Sequence, residues 1–166
     1  MLRIEIVKRE DGTGVLRCTR ADGSVTWQKQ PKHGAFFALH DLTHFAVETA
    51  LGYHRGFFGL IEEGWDLQDA GGDGARGPVP AEANEVEKIV GLFDSERGSG
   101  VLWTEEEFNS FAPRKLTSEE IGRVRAVRGE LFKRWSALPG GVALELLYPN
   151  ESSARKVEHG GRFPQP

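Results

Sequence analysis

The segment ALHDLTH, residues 38–44, places His40, Asp41 and His44 inside an otherwise apolar run. Imidazoles and carboxylates hold divalent metals, and imidazoles also move protons near neutral pH. On a helix with His40 at zero, His44 falls near about 40°, Leu51 near about 20°, Phe37 near about 60° and Glu48 near about 80°. The two histidines therefore share an apolar face, about 6 Å apart along the axis, and can chelate one ion through their ring nitrogens. Glu48 stands about 12 Å from His40 along the axis, too far to enter the same ligand shell from a straight helix. It suits instead a hydrogen bond from His44 that fixes the tautomer, or a contact with a water beside the ion. Asp41 lies about 100° from His40, where it can ligate from the edge or cap a backbone group.

Two imidazoles and a carboxylate aimed into a core carry a desolvation cost of several kcal/mol, roughly, for each unpaired charge. A metal satisfies them, and so does a closed hydrogen-bond network. Two histidines leave a metal short of ligands. If the chain reverses near Tyr53 and His54, a following antiparallel helix returns Glu62 or Glu63 to the level of His44. The metal-dependent hydrolase expected on this basis has His40 and His44 as ligands and Asp41 or Glu62 as the third. Glu48 or Glu63 is then the base for a metal-bound water. Zinc is the divalent metal that best suits imidazole and carboxylate, with manganese or iron as alternatives if more carboxylates gather. His33 is a further candidate ligand, and His54 reads as a surface residue.

The same stretch resembles the His-Asp doublet of HD-domain phosphohydrolases, in which an apolar run precedes the doublet. The likeness covers about seven residues. It implies a metal, and a distant Asp for which Asp66, Asp69 and Asp94 are candidates, whereas only His33 precedes the doublet here. The segment is also similar to the HDxxH motif of a ubiquinone-biosynthesis family read as a zinc site. Gly56 stands where that family carries a further Glu.

The elements that position these residues follow from periodicity. Residues 2–8 (LRIEIVK), 15–20 (VLRCTR) and 25–30 (VTWQKQ) alternate as strands, separated by turn-forming EDGTG and ADGS, and predict an antiparallel meander ending at Pro31. From Ala35 the period becomes helical up to Gly52, and the helix is apolar most of the way round, which predicts a central position in the domain. GFFGLIEEGWDL, residues 56–67, predicts a second helix after a break. DAGGDGARGPVP, residues 69–80, predicts a loop.

Residues 81–93 predict an amphipathic helix. Thr104 with Glu107 and Thr117 with Glu120 form capping-box signatures for a short and a long helix. The long one, ending before Pro139, carries Arg123, Arg125, Arg128 and Lys133, which read as a solvated face or an anion contact. VALELLY, residues 142–148, alternates as a strand able to join the meander. The expected class is α+β: a small antiparallel sheet packed against four or five helices in one domain over 1–150, with 151–166, including His159, a loosely ordered tail.

In 166 residues, 39% are hydrophobic and 28% charged, the balance of a folded domain. The net charge of −4 gives no general attraction for nucleic acid or anionic membranes. No membrane-spanning run and no export signal are evident, so the expected location is the cytoplasm. The single cysteine, Cys18, excludes an internal disulfide and reads as a buried thiol. The expected partner is a small-molecule substrate or another protein. The alternative to an enzyme is a non-enzymatic interaction or ligand-binding domain whose histidines form a structural network, with Trp27, Trp65 and Trp103 as candidate contacts.

Overall fold

The computed structural model describes residues 1–11, 13–30 and 34–149. His33, His159 and the expected tail lie outside these. The chain forms a four-stranded antiparallel sheet in the order β3-β2-β1-β4 with, among the described residues, six helices. The α+β expectation holds, and the C-terminal strand does join the meander. β1 (Leu2–Lys8) pairs with β2 (Gly14–Thr19) on one side and with β4 (Ala143–Tyr148) on the other, and β3 (Val25–Lys29) flanks β2. Alternation does what it predicts: Leu2, Ile4, Ile6, Leu16, Cys18, Leu144, Leu146 and Tyr148 are all buried on one face. Trp27 projects from the other, 65% exposed, whereas Trp65 is buried in the core.

The helix α1 (Gly34–Leu51) packs against α4 (Ala81–Ser99) and α6 (Ser118–Ala137), and its Phe45 ring reaches Tyr148 of β4 at 6.4 Å. It is the central element that its nearly all-round apolarity requires. Gly52 ends it in the left-handed conformation (φ 76°), which glycine adopts without steric penalty. The expected second helix is split into α2 (Phe57–Glu62) and a single turn, α3 (Leu67–Ala70), which overlaps the start of the expected loop.

The helix expected to stop at Phe93 runs on as α4 to Ser99. The reason is tertiary. Glu96, polar in a continuing helix, is only 2% exposed because Arg125 and Arg128 of α6 and the Trp103 amide converge on it. This also corrects the solvated-face reading of the arginines. Arg128 is buried and Arg125 largely so, whereas Arg123 lies outside on Glu119 and Lys133 is exposed. Both capping boxes form, at the start of α5 (Glu105–Asn109) and of α6.

Candidate metal centre

The site lies where α1 faces α4. His40 and His44 are one turn apart with ring centroids 4.7 Å from one another, and α4 presents Glu87 and Asp94, two turns apart on one face. Glu87 Oε2 lies 2.9 Å from His44 Nε2, and Glu87 Oε1 lies 3.8 Å from His40 Nε2. One ligand atom from each of His40, His44 and Glu87 falls within 4.8 Å of the other two, near enough together that the three could hold one metal ion. Tetrahedral zinc with bonds of about 2.0–2.1 Å has ligand atoms about 3.3 Å apart, a spacing that the two Glu87 distances straddle.

A further carboxylate lies behind each imidazole, hydrogen-bonded in one case only. His40 Nδ1 is 2.7 Å from Asp94 Oδ2 and donates its proton there, which leaves Nε2 directed toward Glu87. His44 Nδ1 points toward Glu48 Oε1 at 3.6 Å, close enough for charge attraction but too long for a hydrogen bond, and it is buried with no hydrogen-bond partner among the described residues. Phe36 stacks on the His40 ring, and Arg97 lies over Phe36 while pairing with Asp94.

Glu48 is fully buried and accepts backbone hydrogen bonds from Phe58 and Gly59 at 3.2 Å each. Its place against α2 depends on Gly56, where an added Cβ would come within 2.5 Å of the Glu48 carboxyl carbon. Glu48 is thus tied chiefly to backbone amides. The site grades from this closed end to an open one: the Glu48 side chain is 0% exposed, His44 5%, His40 23% and Glu87 61%.

The electrostatics follow from the geometry. Burial disfavours a charged His44 ring, but Glu48 and Glu87 outweigh it and push the pKa up to about 9. His44 in turn holds Glu87 below the usual carboxylate range, and His40 and Arg97 do the same for Asp94 despite its burial. Burial pushes Asp41 up to about 7, against the opposing pull of His44 and His40 and of the Gln30 amide.

Of the residues singled out from sequence, the structure brings together His40 and His44, with Glu48 behind His44. Asp41 accepts a hydrogen bond from Gln30 Nε2 at 2.5 Å and is not part of the cluster. Glu62 pairs with the Met1 amino group at 2.7 Å, and Glu63 with Arg55 at 2.9 Å. α2 is too short, and too closely docked at its start on Glu48, to return them to His44. Asp66 faces Arg20, Asp69 accepts from the Arg76 amide, and Asp94 alone of the three candidate aspartates meets a histidine of the motif.

Glu87 was not legible as a ligand, since a glutamate on an amphipathic helix is ordinarily solvated. The available signal was its i,i+7 relation to Asp94, which matches a carboxylate face to a histidine face.

Comparison with models of known protein families gave no match, and neither did comparisons with curated proteins and with solved structures. The site is therefore read from its own chemistry.

Proposed function

We propose that this protein binds a divalent metal through His40 Nε2, His44 Nε2 and Glu87, and uses it in hydrolysis. The observation that carries the reading is the orientation of both imidazoles: each has Nδ1 turned to a carboxylate, Asp94 or Glu48, and Nε2 turned to Glu87. A hydrogen-bonded carboxylate–histidine unit such as Asp94–His40 raises ligand basicity and fixes the coordinating nitrogen. Three protein ligands with one exposed side leave a coordination position free, as catalytic zinc sites do and closed structural sites do not. A metal held there would acidify a coordinated water to about neutrality and supply a nucleophile at ordinary pH. Zinc suits the two-imidazole, one-carboxylate set.

Glu48 stands behind His44 in this scheme as a nearby negative charge, its carboxylate being committed to two backbone amides and enclosed by protein. Asp94 holds His40 Nδ1 by a hydrogen bond. Glu87, the most exposed of the four, meets both the metal and what approaches it.

The test is metal content. Protein purified without a histidine tag and offered zinc, manganese or iron retains about one ion per chain, as one three-ligand cluster implies, and the His40→Ala, His44→Ala double variant retains none. A folded wild type that takes up no metal contradicts the proposal. It would favour the second reading, a charged structural network, for which the 2.9 Å contact between His44 and Glu87 is the supporting observation.

A further inference from the structure

A cavity of about 310 Å³ lies beside α1 and is lined by neither His40, His44 nor Glu87. Its walls come from the ends of β2 and β3, the first turns of α1, and α2 with α3; Phe37 and Phe57 supply aromatic surface. Phe57 is shared with the metal centre, its ring centroid lying 5.2 Å from that of His44. Asp41, the residue after His40, forms part of the same wall. The size suits one small organic molecule or one end of a larger one.

Its charge is one-sided. Asp41 and Asp73 both line it, three glutamine amides accompany them, and among the described residues no Lys, Arg or His does. Asp41 is only 7% exposed, yet its hydrogen bond among the described residues is to the neutral Gln30 amide, and no ion pair there matches it. The neighbouring Gln30 Oε1 is buried with no partner among the described residues. A buried carboxylate whose hydrogen bond among the described residues is to a neutral amide gains from a cation placed directly against it. Phe37 and Phe57 make part of the lining aromatic, and aromatic rings attract cations.

We propose that this cavity is a binding site, separate from the metal centre, for an organic cation, a primary ammonium or guanidinium group, whose charged end is held by Asp41.

The test uses the full chain after metal loading, with benzylammonium and benzoate as probes followed by two-dimensional NMR at Phe37, Phe57 and Gly71. Benzylammonium is expected to shift these signals saturably and benzoate to leave them in place. Asp41→Asn, which keeps the shape, weakens benzylammonium by at least about tenfold, the loss expected when a charge-assisted contact becomes neutral. Gln68→Trp, at an exposed wall position, obstructs the cavity without burdening the core and abolishes the shifts. Both variants keep wild-type metal content.

Equal binding of benzoate, unchanged affinity in Asp41→Asn, the absence of any saturable shift, or loss of metal together with binding in Asp41→Asn overturns the proposal. Wild type that binds benzylammonium but no metal contradicts the metal-centre reading and leaves the cation pocket standing.

Discussion

His44 is the residue on which the account turns, because its two ring nitrogens face two carboxylates and its folded-state pKa, about 9, stands above the ordinary 6.5. The proton on it therefore stabilises the metal-free fold fully below about pH 6.5, and that contribution is lost as pH rises through about 9. The melting temperature of metal-free wild type is expected to fall across this window, and that of His44→Gln to fall less. Metal must displace the same proton, so affinity rises with pH up to about 9, by roughly tenfold per unit for one proton released. Competition titrations with a chelator at several pH values read this directly; a flat profile contradicts it. Asp94→Asn, which keeps the volume but weakens the hold on His40 Nδ1, is expected to lower metal affinity by about 10–100-fold. At this scale the sequence revealed the histidine pair through angular position alone. Glu87 and Asp94 stayed hidden because nothing local distinguishes a carboxylate that meets a histidine from one that meets water.

Between α1 and α2 the contact is as close as the residues allow. Gly56→Ala would push a methyl group against the Glu48 carboxyl, and the resulting overpacking is expected to cost about 2 kcal/mol. The denaturation midpoint measures it, and an unchanged midpoint would show that Glu48 moves freely. Between α4 and α6 the joint is Glu96. Burial alone would raise its pKa, but Arg125, the Trp103 amide and Arg128 hold it below the ordinary 4.5. Its stabilising contribution is thus present above about pH 4.5 and lost as pH falls through the depressed value. Glu96→Gln is expected to destabilise the protein near neutrality by about 3 kcal/mol, since it leaves the buried Arg128 without its counter-charge. The variant should also show a shallower loss of stability below pH 4.5, read from urea midpoints against pH. Helix starts were plain in the sequence because capping boxes are local. The end of α4 was not, because Glu96 continues the helix only once α6 supplies its arginines.

The whole molecule is a sheet and a set of helices with α1 between them, and no helix among the described residues is long and apolar enough to cross a membrane. Its architecture was legible from two periodicities: alternation buries Ile4, Ile6, Leu144 and Leu146, and the helical repeat makes α1 central. Which helix faces α1 was not legible, because pairing between elements far apart in sequence leaves no local mark. The site exists only through that pairing, as α1 contributes imidazoles and α4 the carboxylates. Anomalous diffraction from zinc-loaded crystals of the tag-free protein tests this most directly. The account predicts one strong peak at about 2.0–2.1 Å from His40 Nε2 and His44 Nε2, with a Glu87 oxygen in the same shell. A peak elsewhere, or histidines still paired with Glu87 and no metal between them, would contradict it.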